Sequence, residues 1–143
     1  MEKMFSEANN SKSRFISCRF GNVAWSNGSV LPFWFAQHEQ NKELWLTDKR
    51  MNRLMFTSDE AAELINKCIN LTKVHSDGFI LSKKMKTVNM FELSKLISKK
   101  IKIVGLRAGE KIDEDLISDE ELKFSFELND YVIIHDYINK NES

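Results

Sequence analysis

The feature that most constrains the fold of this chain is a strand, a polar loop and a helix in direct succession. Residues 14–20 form a short β-prone run, and Gly21 and Gly28 let the loop backbone approach a ligand closely. Ser29 can cap the helix that is expected over residues 30–40. Since a helix start offers unpaired amide N–H groups and the positive end of a dipole, this junction predicts an anion site.

Helices and strands alternate along the rest of the chain. Apolar periodicity and turn residues predict further helices over residues 1–10, 89–99 and 118–122, and strands over residues 44–47, 53–56, 78–81, 101–106 and 131–135. Thr57 and Glu60 have the spacing of a capping box at the start of another helix. In the helix that starts at Thr57, the buried stripe is expected to be Ala61, Leu64, Ile65 and Cys68. In the helix over residues 89–99, it is expected to be Met90, Leu93, Leu96 and Ile97. This alternation predicts an α/β fold.

The first strand needs neighbouring strands to form a sheet, and this chain contains few candidates for them. A short apolar strand followed by a crossover helix is typical of a parallel sheet that is covered on both faces. Few other apolar strands are predicted in this sequence. We therefore expect the sheet to draw further strands from outside this chain.

Composition argues against several classes of protein. The chain has 143 residues, 42% of them hydrophobic, which suits about one domain with a modest core. Its 21 basic and 21 acidic residues cancel, so no global field favours nucleic acid or an anionic membrane. The longest apolar run, residues 30–36, is far shorter than the roughly 20 residues that span a bilayer. With no signal-peptide pattern and no Cys-x-x-Cys, the cytoplasm is the expected location.

No residue pattern predicts a metal site or a nucleophile. His38, His75 and His135 lack the spacing of zinc ligands, and no serine lies in a nucleophile elbow. The acidic residues between positions 113 and 121 do not match an EF-hand loop and are explained by a solvated helix face. We therefore predict no metal ligand and no catalytic residue in this chain.

Four sequence blocks together resemble one family of enzymes. They are R-F-G-N-V at residues 19–23, G-S-V-L-P-F-W at 28–34, T-D-K-R-M-N-R-L-M-F at 47–56 and G-L-R-A-G-E-K-I-D-E at 105–114. In this order and spacing they resemble the carboxyl-terminal part of the UDP-N-acetylglucosamine 4,6-dehydratases of bacterial surface-polysaccharide synthesis. These lyases belong to the extended short-chain dehydrogenase/reductase superfamily. The resemblance runs from Met1 to about Tyr131.

The resemblance implies which part of the family's fold this chain supplies. It would be the α/β, substrate-binding portion of an extended short-chain dehydrogenase/reductase, without most of the NAD(P)-binding Rossmann-like sheet. Residues 1–28 would be a remnant of the nucleotide-binding domain, residues 29–137 the sugar-nucleotide-binding domain and residues 138–143 a frayed tail. The family's glycine-rich fingerprint and Tyr-x-x-x-Lys pair are absent from the sequence. The complete family enzyme uses NADP or NAD, and this chain alone is expected to bind neither.

Three polar residues are implied to hold the diphosphate end of a substrate. The resemblance has Asn22 donate from its carboxamide to a phosphate oxygen, and Arg53 offer a planar fork of donors to the pyrophosphate. Arg107 would meet the diphosphate or the ribose. The structural alternatives are a loop asparagine, a solvated strand arginine and a charged turn. Arg50 competes with Arg53, but the family pattern places the basic residue next to the Leu-Met-Phe run.

Three further residues are implied to bind the sugar and the uracil. The resemblance has Glu110 accept from sugar hydroxyls, while Leu31 and Pro32 line the uracil pocket. A solvated carboxylate and an ordinary core helix are the alternatives. Ala108 stands where the family commonly has proline, which loosens this loop.

Two functions of different classes follow. The first is the UDP-sugar-binding half of a 4,6-dehydratase-like enzyme of surface-polysaccharide or nucleotide-sugar biosynthesis, catalytically incomplete by itself. Its expected partners are a UDP-sugar and either a separately encoded amino-terminal Rossmann half or a second copy of the chain. The alternative is a noncatalytic remnant or interaction module whose exposed first strand pairs with another chain. Neither hypothesis involves nucleic acid or a membrane span.

Overall fold

A computed structural model describes residues 1–10, 12–73 and 78–135 of the chain. The chain forms two compact units, each assembled from separate stretches of sequence. Unit 1 takes in Met1–Phe20, Asp59–Lys84 and Leu116–Ser143, and unit 2 takes in Gly21–Ser58 and Met85–Asp115. These units interleave along the sequence, whereas the domains implied by the resemblance are contiguous and stay a prediction. The predicted tail at residues 138–143 and His75 lie outside the described residues.

Helices and strands alternate along the described residues. In chain order they are α1 (Glu2–Glu7), β1 (Ser17–Arg19), β2 (Asn22–Val23), α2 (Val30–Glu39), β3 (Leu44–Leu46), β4 (Asn52–Phe56), α3 (Ser58–Leu71), β5 (Phe79–Lys83), β6 (Lys86–Asn89), α4 (Met90–Ile97), β7 (Ile101–Ile103), α5 (Asp119–Leu122), β8 (Ser125–Leu128) and β9 (Tyr131–His135). Every predicted element has a counterpart here, and the α/β class is confirmed. In the part of the chain that is described, no helix has the length and apolar character needed to cross a membrane.

Unit 1 is built on a four-stranded sheet in the order β1-β5-β9-β8. Strand β1 runs parallel to β5, and β9 pairs antiparallel with both of its neighbours. Helix α3 buries one stripe at i, i+4 and i+7 spacing against the sheet, and the resulting core contains Leu64, Cys68, Leu71, Phe79, Leu81 and Ile133. Within the described residues β1 pairs only with β5, so it is an edge strand of this sheet.

Unit 2 contains two small sheets. Strands β2, β4 and β6 form one, in which β2 is parallel and β6 antiparallel to β4. Strands β3 and β7 form a parallel pair. The core draws one or two side chains from each of several elements, namely Leu31, Trp34, Leu44, Leu46, Met51 and Met90. This shared core holds α2, β3 and the start of α4 together.

For two residues, the prediction that the side chain is buried is wrong. Ile65 and Leu96 are 47% and 84% exposed. Leu96 follows the buried Ser94 of α4 by two residues, which at about 100° per residue turns it to the opposite side of the helix. Strands β2, β6 and β8 were not predicted. Strand β2 has two residues, β6 has a single apolar residue, Val88, and β8 alternates over only four positions, so none of them shows an apolar run.

Arg19 ties three elements of unit 1 together. Its Nε and Nη2 atoms donate to the Glu2 carboxylate of α1 at 2.8 and 2.7 Å. Its Nη1 and Nη2 atoms donate to the Glu121 carboxylate of α5 at 2.9 and 2.6 Å. These hydrogen bonds, from Glu2 first and then Glu121, raise the pKa of Arg19. In return, the hydrogen bond from Arg19 lowers the pKa of Glu121 to about 2, against the effect of burial and with help from Ser118.

We predict that Glu121→Gln lowers the free energy of unfolding by about 1 kcal/mol at neutral pH. The substitution removes the charge opposite Arg19, while a glutamine can still complete the capping box with Ser118. Because the folded-state pKa is depressed to about 2, the stabilisation is present above the ordinary glutamate pKa of 4.5 and is lost as the pH falls toward 2.

The difference in melting temperature between parent and variant should therefore shrink as the pH is lowered through this window, as circular dichroism would record. Glu120→Gln makes the same charge change on the same helix and is the control. An equal, pH-independent loss in both variants would show that the Arg19 pair is not responsible.

Candidate functional site

A cavity of about 250 Å³ lies within unit 2. Its polar lining comes from Asn22 in β2, Ser29 before α2, Thr47 after β3, Arg53 in β4 and Glu110 in the loop after β7. Its apolar lining includes Leu31, Trp34, Leu46, Met51 and Met90. Segments far apart in sequence thus place amide, hydroxyl, guanidinium and carboxylate groups around one space.

The start of α2 forms one side of the cavity. Ser29 occupies the N-cap position, as predicted, but its hydroxyl accepts no hydrogen bond from the helix. Its Oγ atom is buried and has no hydrogen-bond partner among the described residues. Gly28 precedes it with a φ of 77°, a conformation that favours glycine. The predicted strand, loop and helix junction therefore borders a cavity, although the cap differs from expectation.

Arg53 is the charged residue at the centre of this site. It is 8% exposed, and its Nη1 atom donates to the carbonyls of Asn52 and Ile112 at 2.8 and 3.0 Å. Its Nη2 atom donates to the Lys111 carbonyl at 3.1 Å. The Nε atom lies 3.3 Å from a carboxylate oxygen of Glu114. The guanidinium thus fastens residues 111–114 to β4.

Asn22 lies beside the same carboxylate. Its Nδ2 atom donates to the Leu54 carbonyl at 3.3 Å and to the Glu114 carboxylate at 3.2 Å. The carboxamide nitrogen is thus an uncharged donor that shares the Glu114 carboxylate with Arg53. The sequence predicted Asn22 and Arg53 as members of one site, and the fold brings them to one cavity.

Glu110 joins the loop that follows β7 to the strand β3 side of the cavity. Its carboxylate accepts from the Thr47 hydroxyl at 3.5 Å and from the Arg107 backbone N–H at 3.1 Å. A carboxylate oxygen lies 3.8 Å from Nη2 of Arg53. Glu110 therefore partly balances the charge of Arg53 and also lines the cavity.

Two of the predicted site residues lie away from the cavity lining. Arg107 is exposed, and Pro32 is half-buried in the first turn of α2 without lining the cavity. Leu31, Asn22, Arg53 and Glu110 do line it. The binding roles of all six residues stay predictions.

Arg50, the competitor of Arg53, is engaged elsewhere. Its guanidinium pairs with Asp48 at 2.8 Å, and its side chain is 74% exposed. The hydrogen bond from Arg50 lowers the pKa of Asp48 to about 2. Arg50 is not part of the cavity lining, which agrees with the choice of Arg53.

Several residues that shape the site were not predicted. Trp34 donates from Nε1 to the Trp45 carbonyl at 2.8 Å, and the Trp45 N–H donates to Oε1 of Gln37 at 3.1 Å. These two buried side chains of α2 fix the β3 wall of the cavity. Thr47 and Glu114 also reach the site, and both lie inside the sequence blocks that carry the resemblance. Their position in those blocks was the signal that could have identified them.

Histidine, cysteine, aspartate and glutamate side chains give no indication of a metal centre. Within the described ranges, no group of three or more of them could hold a metal ion. The strand-to-helix connections of this part of the chain also contain no glycine-rich turn that would cradle a dinucleotide. The residues described here therefore do not fit NAD or NADP.

The fold and site define the class of protein. The α/β architecture is that of the extended short-chain dehydrogenases/reductases, and Pen from Bacillus thuringiensis has a similar solved structure. That similarity has a TM-score of 0.82 at 33% identity and covers 95% of this chain and 46% of Pen. The family model described as polysaccharide biosynthesis protein matches residues 1–136, and the chain belongs to that family.

Similar proteins include two kinds of nucleotide-sugar enzyme. A UDP-N-acetylglucosamine 4,6-dehydratase (inverting) of Campylobacter jejuni is 33% identical, over 93% of this chain and 41% of its own length. A UDP-glucose 4-epimerase of Rickettsia bellii is 31% identical, over 84% of this chain and 36% of its own length. The capsular polysaccharide biosynthesis protein CapD of Staphylococcus aureus is 35% identical over 79% of this chain and 20% of its own length. The chain thus spans less than half the length of these relatives.

Gly21 sets the approach of β2 to β4, because no side chain fits at its position. A Cβ atom there would meet the Leu54 carbonyl oxygen at 2.6 Å and Sδ of Met85 at 2.7 Å. The Leu54 oxygen is also the acceptor of the Asn22 carboxamide. The missing side chain therefore lets Asn22 lie against β4.

We predict that Gly21→Ala lowers the free energy of unfolding by about 1–3 kcal/mol, because the clashing Leu54 oxygen belongs to the backbone of the paired strand β4. Urea titration followed by tryptophan fluorescence would measure the change. Asn27→Ala, at an exposed position between β2 and α2, should have little effect. Similar stabilities of the two variants would contradict the close approach.

Proposed function

We propose that this chain is the UDP-sugar-binding part of a nucleotide-sugar-modifying enzyme related to the 4,6-dehydratases. The observation that carries the proposal is the meeting of Asn22 and Arg53 with Glu110 on one cavity at the start of α2. These groups suit an anionic, hydroxyl-rich ligand, because a guanidinium and an amide donate to phosphate while a carboxylate accepts from hydroxyl groups.

Each predicted residue has a role in this proposal. Arg53 and Asn22 donate to the diphosphate, and the dipole of α2 adds positive potential near its first residues. Glu110 accepts from a sugar or ribose hydroxyl. Leu31 forms part of the apolar wall for the uracil, and Pro32, which does not itself line the cavity, follows it in the first turn of α2. Arg107, on an exposed loop, reaches the diphosphate or ribose when ligand is bound.

The relatives support the class of ligand. The names of the Campylobacter and Rickettsia proteins give UDP-N-acetylglucosamine and UDP-glucose as substrates, which share a UDP group on a hexose. Of the two activities, we assign dehydration rather than epimerisation, because the dehydratase match covers more of this chain. In the 4,6-dehydratases, C4 of the sugar is oxidised, water is eliminated across C5 and C6, and hydride returns to C6.

The contribution of this chain to such a reaction is positioning. Holding the nucleotide diphosphate and the sugar fixes the hexose carbons relative to the groups that react, which removes translational and rotational freedom before the chemical step. NADP or NAD would supply the hydride chemistry in the complete enzyme. The sequence contains neither the Tyr-x-x-x-Lys pair nor the glycine-rich fingerprint, so we propose that the chain alone does not turn over substrate. A cytoplasmic location stays part of this proposal.

A second candidate function is that of an interaction module. Strand β1 is the edge of its sheet within the described residues, and Met1 and Met4 near α1 are 92% and 71% exposed. An unpaired strand edge beside apolar side chains favours pairing with another chain, either a separately encoded Rossmann half or a second copy. Light scattering over a range of concentrations would detect self-association.

We predict that the chain binds UDP saturably and that Asn22→Ala weakens binding by at least about tenfold. A hydrogen bond to a charged group contributes about 1.5–3 kcal/mol, and the substitution removes such a donor from an exposed position. Isothermal titration calorimetry with UDP measures both affinities. Asn27→Ala, the same change at an exposed position between β2 and α2, should bind as the parent does.

Arg107→Ala tests the loop arginine in the same titration, and a loss of affinity is expected. Lys99→Ala removes another exposed positive charge of unit 2 and should leave binding unchanged. If the parent chain shows no saturable binding of UDP, the proposal is wrong and the interaction module becomes the better explanation.

A further inference from the structure

The carboxylate of Glu114 occupies the point where the two proposed phosphate donors meet. Its Oε2 atom accepts from Nδ2 of Asn22 at 3.2 Å, and its Oε1 atom lies 3.3 Å from Nε of Arg53. The Glu114 side chain is 45% exposed, whereas that of Arg53 is 9% exposed. An exposed anion thus covers a nearly buried cation and its neighbouring amide.

The remaining donors of Arg53 are directed elsewhere. Both Nη atoms donate to backbone carbonyls, those of Asn52, Lys111 and Ile112, and Nη2 also lies 3.8 Å from a carboxylate oxygen of Glu110. The Nε atom, in contrast, has no backbone carbonyl as a partner among the described residues. Backbone carbonyls within a strand and its adjoining loop cannot leave without disrupting that structure. The edge of the guanidinium that a ligand could take over is therefore the Nε edge, where Glu114 now lies.

We propose that Glu114 is a displaceable counter-ion that closes the anion position and exchanges with the diphosphate of the ligand. This inference rests on the function proposed above. Without ligand, the carboxylate balances the charge of Arg53, because a buried guanidinium without a counter-ion is costly. With ligand, two negative groups a few ångströms apart repel each other, so the phosphate and Glu114 do not share the donors.

The exchange makes Glu114 a residue that determines ligand selectivity. A neutral ligand is attracted to the Arg53 guanidinium less strongly than the Glu114 carboxylate is, so it does not displace Glu114. A diphosphate carries more charge than a carboxylate and has oxygens for both Asn22 and Arg53. The site is therefore selective for ligands with a phosphate at this position.

Calorimetric titration of UDP and of inorganic pyrophosphate into the parent and Glu114→Gln tests the exchange. A neutral amide competes less well for Arg53, so both ligands should bind the variant at least about fivefold more tightly. Asp115→Asn removes the same charge at the next, exposed position and should change affinity far less. UDP binding that is equal or weaker in Glu114→Gln would overturn the exchange while leaving the proposed function standing. If neither protein binds UDP, both proposals fail.

A second measurement uses the parent chain itself. The Nε–H signal of Arg53 in a nitrogen-15 NMR spectrum reports the group that accepts from it. This signal should move when UDP is added, and Glu114→Gln should move it in the absence of ligand. A signal that is unchanged by saturating UDP would show that Glu114 keeps its place, and the proposal would be wrong.

Discussion

The site in unit 2 depends on the burial of one guanidinium. Arg53 is 8% exposed, and burying such a charge costs several kcal/mol unless hydrogen bonds and counter-ions compensate. Its donors are matched by three backbone carbonyls and by the carboxylates of Glu110 and Glu114. All but one of these partners come from residues 110–114. The cost of the charge is therefore offset only when that loop lies against β4.

This requirement explains how distant stretches form one cavity. The loop that carries Glu110 is held by Arg53 and by the Thr47 hydroxyl, and Asn52 adds a bond to Asp113 at 2.8 Å. Asn22 reaches the same loop through Glu114, because Gly21 lets β2 approach β4 closely. The apolar side of the cavity is fixed separately, by the two hydrogen bonds that join side chains of α2 to the backbone of β3. Polar contacts therefore fix the polar lining of the cavity, and packing fixes its apolar lining.

Local pattern was enough to predict the helices and six of the strands of the described residues, whereas the partners of the charged groups depend on the tertiary fold. Helix α3 begins at Ser58, directly after the predicted cap Thr57, and buries Leu64 and Cys68 as its periodicity indicates. Asn22, Arg53 and Glu110 were predicted from a resemblance that carries tertiary information. Glu114 lies in one of the blocks that carry the resemblance, but its contacts with Asn22 and Arg53 are visible only in the fold. No periodicity along the sequence encodes such a contact, which joins residues 92 positions apart.

Recognition of UDP and chemistry at the hexose are separable in a site of this kind. The relatives named as a dehydratase and as an epimerase share a UDP-hexose but change different bonds of it. Guanidinium, amide and carboxylate groups that hold a diphosphate and hydroxyls act equally in both reactions, because they contact the part of the ligand that does not react. A surface of this type lowers the barrier by orienting the hexose, whichever bond is then broken. Under the proposed function, the difference between the two reactions therefore arises at groups that contact the hexose carbons, and the cavity in unit 2 selects the ligand rather than the reaction.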